Sequence, residues 1–216
     1  MLPPDRAPWR CVQGAQSRSR GGPFAILNGC SVRDAVVVHV PANTTITAPI
    51  HILYLTSAAS SSSNGSSLEG GAGVVAASAP RLLVVLEEGA SAEVVEEFAP
   101  LAAAGADAVG GASAPSGSLC NAVAEIELDD GAVLKHIYVQ LQGPAALHVK
   151  ATLVGQGKAS DYSLTEVEVG GRLSRHDLGV DQLGEATQTS ECFPVLCPVY
   201  SVCSGSAVGG WRAWGE

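Results

Sequence analysis

Short segments in which apolar and polar residues alternate recur along most of the chain, and such alternation is typical of β-strands. It predicts strands at residues 35–40, 50–55, 82–86, 122–128, 133–141, 147–154 and 162–169. We expect inward Val and Leu side chains, with Glu125, Glu127, Glu166 and Glu168 outward in solvent. No segment shows a 3.6-residue period with capping residues, so the sequence predicts an all-β fold.

Glycines mark the ends of successive predicted strands at nearly even intervals. They are Gly131, Gly143, Gly157, Gly171 and Gly184, spaced by 12, 14, 14 and 13 residues. The segments EEGASAEVVEEF at 87–98 and DDGAVLKHIYVQ at 129–140 are also alike. Even spacing with weak internal similarity indicates stacked units, which suits either a β-sandwich or a β-helix. Short strands and few aromatic residues favour the β-helix, with stacked parallel strands from Val36 to about Val180.

Two low-complexity tracts and two unusual termini divide the chain. Residues 57–79 and 99–118 are rich in Ser, Gly and Ala, which predicts unstructured loops. Residues 1–22 contain four Arg and one Asp. They predict a disordered leader, either the end of an organelle transit peptide or a segment without function. We therefore divide the chain into a leader at 1–22, a β-rich core at 23–189 and an irregular tail at 190–216.

Composition narrows the classes of partner. Hydrophobic residues make up 46% of the chain and aromatic residues 5%, so an aliphatic core is expected. The net charge of −9 disfavours binding to a nucleic-acid backbone. No uncharged apolar run approaches about 18 residues, so no membrane-spanning helix is expected.

Histidines and serines offer weak candidates for catalysis. His176 and Asp177 are adjacent and would point to opposite faces of a strand. Ser174 shares a face with His176, but it lacks the glycine-rich elbow of a hydrolase nucleophile. We interpret this group as a surface polar cluster. His51, His136 and His148 stand alone in separate strands, and we expect partly exposed side chains rather than metal ligands.

Carboxylates and cysteines are equally weak candidates. The pairs Glu125/Glu127 and Glu166/Glu168 have a spacing near that of glycosidase carboxylates, but too few aromatic residues accompany them to hold a sugar. Cys192, Cys197 and Cys203 follow a C-x4-C-x5-C spacing without an evident fourth metal ligand. The stretch GQGKAS at 155–160 lacks the spacing of a phosphate-binding loop. We therefore predict no catalytic, cofactor-binding or metal-binding residue.

Five segments, in order, resemble the SufD family. They are FAILN at 24–28, VVVHVPANTTITAPIHILYL at 36–55, LLVVLEEGASAEVVEEF at 82–98, NAVAEIELDDGAVLKHIYVQ at 121–140 and GGRLSRHDLGVDQLGEAT at 170–187. The resemblance covers roughly residues 24–189. The sister family SufB shares this core, while PIHILYL at 49–55 looks like SufD.

The resemblance implies a fold and a function. The fold would be a right-handed parallel β-helix flanked by helical regions. The function would be that of a non-catalytic scaffold subunit acting with SufB and SufC, on which the full complex assembles iron–sulfur clusters. No cofactor is expected on this chain alone. A plastid location is expected, or a cytoplasmic one if the protein is bacterial.

The sequence departs from the family after Thr189, where the tail matches nothing in it. The family's functional histidine at the SufB interface and its SufC-docking surface lie in coils that find no match here. We therefore expect a fragment that binds SufB weakly or not at all and does not stimulate the SufC ATPase. The tail would either cap the last coil or leave its edge open, and we expect an open edge and self-association. Two other readings are a small β-helical enzyme acting on an acidic sugar or acyl group, and a β-rich interaction module.

Overall fold

A computed structural model describes residues 21–56, 76–101 and 117–192, together with the backbone of residues 201–208. Within these residues lie a helix and a series of strands. In chain order they are α1 (Pro23–Ser31), β1 (Val36–Val40), β2 (Ile50–Thr56), β3 (Ala76–Ser78), β4 (Arg81–Leu86), β5 (Ser91–Pro100), β6 (Ser118–Leu128), β7 (Val133–Gln140), β8 (Ala146–Gln156), β9 (Asp161–Glu168), β10 (Leu173–Gln182), β11 (Gln188–Cys192) and β12 (Ser201–Val208).

The strands form two sheets, and the chain passes from one sheet to the other as it proceeds. The first sheet has the order β1-β4-β6-β8-β10-β12, with β3 also pairing with β6, and the second has the order β11-β9-β7-β5-β2. Every strand pair in the described chain is parallel. The all-β prediction and the prediction of stacked parallel strands are therefore confirmed for this part of the chain.

The space between the two sheets is lined by polar side chains near the starts of β8 and β10 and by apolar side chains farther along these strands. In-register positions of the first sheet place Val84, Ile126, Val154 and Val180 in one buried row. Nearer the starts of β8 and β10, the register instead aligns Lys150 with His176. In parallel strands without register shifts, one position in each coil stacks on the same position in the next, so like residues form rows.

Helix α1 covers part of the outer face of the first sheet. Ala25 packs against Val123 and Ala151. Asn28 donates through Nδ2 to the carbonyl oxygens of Pro80 and Asn121, at 3.1 and 2.7 Å. This helix was not predicted, because nine residues with little amphipathic pattern give no visible period. Pro23 near the helix start was the available signal.

Parts of the predicted loops and tail are strands. Ala76–Ser78 forms β3 inside the predicted loop 57–79, while β5 runs to Pro100 and β6 starts at Ser118, inside the predicted loop 99–118. The prediction of an irregular tail is likewise wrong where Ser201–Val208 pairs with β10. A segment can pair with a strand edge through its backbone amides alone and needs no large side chain. The composition of these segments therefore led us to predict fewer strands than the structure has. Residues 1–20, 57–75, 102–116, 193–200 and 209–216 lie outside the described part.

Candidate functional site

A group of buried polar side chains occupies the polar end of the space between the sheets, and we call it the polar cluster. Its members lie on both sheets and in the connection between β7 and β8, and they are almost completely shielded from solvent. They are Glu96, His136, Tyr138, Gln140, Gln142, His148, Lys150, Thr152, Tyr162, Glu166, Glu168, Ser174 and His176. Charged groups are rarely buried unless they are paired, so their contacts decide what the cluster does.

Glu96 is the centre of one set of contacts. Lys150 Nζ lies 2.5 Å from Glu96 Oε2, and His136 Nε2 lies 2.8 Å from the same oxygen. The other ring nitrogen of His136 lies 2.9 Å from the Tyr162 hydroxyl. An ionised carboxylate only accepts hydrogen bonds, so His136 donates through Nε2 and accepts from Tyr162 at Nδ1.

His176 is the centre of a second set. Its Nδ1 lies 2.6 Å from Glu166 Oε2, and its Nε2 lies 2.9 Å from the Thr152 hydroxyl oxygen. Next to it, the Ser174 hydroxyl donates to Glu168 Oε1 at 2.5 Å. Ser174 and His176 therefore share a face, as predicted, but that face is buried and the predicted surface polar cluster is wrong. Each of the two bonds to a different glutamate.

Aromatic rings line the buried charges. Lys150 Nζ lies 4.8 Å from the centre of the Tyr138 ring and 5.3 Å from that of Phe98. The ring of His148 meets Phe98 edge-on at 4.8 Å. Cation–π contacts are strongest where water is excluded, as it is here. The lysine is thus held by a carboxylate and two ring faces.

Burial and pairing shift the pKa values of this group in a consistent way. Burial opposes ionisation of Glu96, but the Lys150 charge and the His136 hydrogen bond outweigh it and lower the pKa to about 2. Burial lowers the pKa of His136, against the influence of Glu96. Burial and the nearby Lys150 charge lower the pKa of His148 to about 3. At neutral pH, Glu96 is therefore ionised, while His136 and His148 are neutral.

The exposure predicted for several of these residues is wrong. His136, His148, His176, Glu166 and Glu168 are buried, although we expected outward or partly exposed side chains. Residues of one parity in a strand share a face. In β9, the buried Tyr162 and Leu164 have the same parity as Glu166 and Glu168. This parity was the signal that would have placed the glutamates inside.

The remaining candidates lie apart from the polar cluster. Glu125 is also buried, within 3.2 Å of Arg81. His51 bonds Glu97 at 2.9 Å on an exposed surface, and Asp177 bonds Arg175. Lys158 of the GQGKAS stretch lies in the turn between β8 and β9.

Neither a metal site nor a membrane span is seen in the part of the chain that the structure describes. No group of three or more His, Cys, Asp or Glu side chains there is arranged to hold a metal ion. Cys192 is an exposed free thiol, Cys203 lies in β12, and Cys197 lies outside the described residues. No helix among the described residues is long and apolar enough to cross a bilayer.

These features define a class of protein: an all-β protein with two parallel sheets and a paired, solvent-shielded polar interior. Residues 67–192 match the family model described as SUF system FeS cluster assembly, SufBD core domain. The chain belongs to this SufBD core family.

Two curated relatives agree with the family match. The chain is 32% identical over 186 residues to "Protein ABCI7, chloroplastic" of Arabidopsis thaliana, an alignment that covers 86% of this chain and 35% of that protein. It is 33% identical over 166 residues to "Iron-sulfur cluster assembly SufBD family protein slr0076" of Synechocystis sp. (strain ATCC 27184 / PCC 6803 / Kazusa), covering 77% of this chain and 33% of that protein. The chain thus spans about a third of the length of the curated relatives it matches.

Proposed function

We propose that the chain is a SufD-like, non-catalytic scaffold subunit of iron–sulfur cluster assembly that acts with SufB-like and SufC-like subunits. The observation that carries this proposal is the family match over residues 67–192. The relatives add to it, since one is named as a cluster-assembly protein and the other as chloroplastic. We propose a plastid location on the same ground, or a cytoplasmic one in a bacterial source.

We propose further that the two sheets form a right-handed parallel β-helix. The alternation of successive strands between two parallel sheets supports a coil of this kind. Neighbouring coils bond through their turns as well, for example from Gly131 N to Lys158 O at 2.8 Å. A continuous stack of this kind is a stiff body on which partner subunits find fixed positions.

The burial of the polar cluster supports a role without turnover. A catalytic acid or base must come within hydrogen-bond reach of its substrate. The carboxylates of Glu96 and Glu166 are instead bonded to histidines and shielded from solvent. Their pairing suits a structural role, and the iron–sulfur cluster is cargo of the full complex in this proposal.

A segment exchange tests the proposal. The part of slr0076 aligned to this chain is replaced by the corresponding residues of this chain, and the hybrid is co-expressed with SufB-type and SufC-type subunits. We expect the hybrid to co-purify with both, while the 216-residue chain alone co-purifies weakly or not at all. A hybrid carrying Leu164→Asp, which places a charge in the core, is the control for folding. A folded hybrid that binds neither subunit would contradict the proposed function.

A further inference from the structure

A cavity of about 870 Å³ lies between α1, the start of β1 and the β3–β6 strand pair, apart from the bonded groups of the polar cluster. Its walls combine aliphatic side chains, including Leu27, Val36 and Leu119, with polar and charged ones. Leu27 and Val36 are partly exposed, so the cavity opens to solvent on the α1 side. This volume lies within the range of cavities that hold small organic ligands, about 300–1,000 Å³.

The exposed rim of the cavity carries one positive and one negative side chain, while a second cation that lines it, Arg81, is buried and lies 3.2 Å from Glu125. Arg33 and Asp34 are neighbours in sequence, both are exposed, and both line the cavity. A charged ligand would be attracted by one of them and repelled by the other. A neutral group with both a donor and an acceptor can bond to both, since the guanidinium only donates and the carboxylate only accepts.

Two residues that line the cavity each have a buried polar atom without a hydrogen-bond partner among the described residues. These atoms are Asn121 Oδ1 and the Tyr54 hydroxyl oxygen. Asn121 is only 5% exposed. A buried polar atom without a partner is costly, so a ligand that bonds to it gains affinity. Both atoms are shielded from solvent, so each bond requires the side chain to turn toward the cavity.

We propose that this cavity binds a small neutral carboxamide with an apolar body. The amide N–H donates to Asp34 or to Asn121 Oδ1, and the amide carbonyl accepts from Arg33 or from the Tyr54 hydroxyl. The apolar body packs on Leu27, Val36 and Leu119. This site is independent of the scaffold function proposed above, because it lies in the chain itself and needs no SUF partner.

A matched pair of probes tests the proposal on the full 216-residue chain. N-methylbenzamide has the amide N–H, whereas methyl benzoate has a similar shape and lacks that donor. Each is titrated into ¹⁵N-labelled protein, and dissociation constants are read from amide shifts of residues lining the cavity. We expect the amide to bind about three- to tenfold more tightly than the ester, the range for one additional hydrogen bond.

Substitutions show whether the amide probe binds in this cavity. Tyr54→Phe removes the hydroxyl of a cavity-lining residue and should weaken amide binding about threefold or more. Tyr138→Phe removes another buried hydroxyl without a partner, away from the cavity, and should leave the affinity unchanged. Ala77→Trp fills the cavity from β3, and Leu27→Trp narrows it from the exposed surface of α1 if the first variant does not fold.

The proposal is overturned by any of three results. The first is equal affinity for the amide and the ester, and the second is amide binding that survives in a folded variant with the cavity filled. The third is the absence of any shift at cavity-lining residues at the solubility limit of both probes.

Discussion

Lys150 is completely buried, and its charge is paired with the carboxylate of Glu96, with aromatic rings around it. Taking both charges out of water is costly, so such a pair adds little to stability compared with apolar residues. Removing one partner is different, because it leaves an uncompensated charge in a dry interior. The pair is therefore sensitive to single substitutions.

We expect Lys150→Met to lower the free energy of unfolding by about 3–5 kcal/mol, because Glu96 is left buried without its cation. Urea unfolding at pH 7 measures the change. The double variant Lys150→Met/Glu96→Gln should recover part of the loss, since it removes both charges. Lys135→Met, at an exposed position on β7, is the matched control and should change stability by less than about 0.5 kcal/mol. If Lys150→Met were as stable as Lys135→Met, the pairing of Lys150 with Glu96 would be contradicted.

Acid should destabilise the protein through the same residues. The folded chain keeps His136 and His148 unprotonated below their usual pKa of 6.5, and Glu96 unprotonated below 4.5. The unfolded chain takes up these protons, so their contributions to stability are lost as the pH falls. For His148 the loss extends from about 6.5 down to about 3. Stability should therefore decrease steadily below pH 6.5.

His148→Gln tests this dependence. It should reduce the slope of unfolding free energy against pH between 6.5 and 5 by up to about 1.4 kcal/mol per pH unit, which corresponds to one proton. Leu53→Gln, at an exposed position without a titratable side chain, is the control and should leave the slope unchanged. An unchanged slope in the His148 variant would show that this imidazole is protonated in the folded protein.

At the scale of elements, the corner between β9 and β10 depends on glycine. Gly170 has a φ of +92°, and a Cβ there would lie 2.4 Å from the carbonyl oxygen of Gln142. Both the backbone conformation and the close approach exclude a side chain without movement of the neighbouring coil. The evenly spaced glycines in the sequence therefore correspond to corners between strands. Their spacing did not show at which corners only glycine fits.

Two glycine substitutions should have opposite effects. Gly170→Ala should destabilise the protein by about 2 kcal/mol or more, through strain and displacement of the Gln142 backbone. Gly29→Ala lies within α1, where the added Cβ meets only Arg81 Nη1 at 3.8 Å, and should stabilise by up to about 1 kcal/mol. Thermal unfolding of both variants measures the difference. If Gly170→Ala left the stability unchanged, this corner would lie outside the rigid part of the stack.

The elements also show how far sequence reasoning extends. Strand positions followed from alternation, because alternation is a local property of the chain. Alternation and glycine spacing still left a β-sandwich open beside stacked parallel strands. The interior position of Glu166 was not predicted. We expected its charge to place it on the outer face of the strand, whereas alternate residues of β9 are buried and Glu166 is one of them. The pairing of Lys150 with Glu96 joins residues 54 positions apart, and no local pattern encodes it.

At the scale of the whole molecule, the two sheets end in strands with a single neighbour among the described residues. These are β1 and β2 at one end and β11 and β12 at the other, and the short strand β3 likewise pairs only with β6 among these residues. The expectation of an open edge along β10 is wrong, because β12 pairs with it. Self-association remains a prediction, now directed to these outer strands, since strand edges with free backbone groups pair with other chains.

Size-exclusion chromatography under reducing conditions measures this association. We expect the elution volume to decrease with rising protein concentration. Val37→Lys adds a charge to an exposed position of the edge strand β1 and should shift the chain toward monomer. Ser163→Lys adds the same charge to the inner strand β9 and should have no such effect. A monomer at every concentration would show that these edges are protected in solution.

The buried ion pair has a consequence for how the coils align. Parallel coils of similar length could slide by two residues and still keep apolar side chains inside, because parity is preserved. Such a slide would carry Lys150 away from Glu96 toward the aliphatic rows, where its charge has no counterion. The Lys150–Glu96 pair thus fixes the register between neighbouring coils. We expect Lys150→Met/Glu96→Leu to keep its strand content but to show doubled or broadened amide resonances, and a single sharp set would argue against this role.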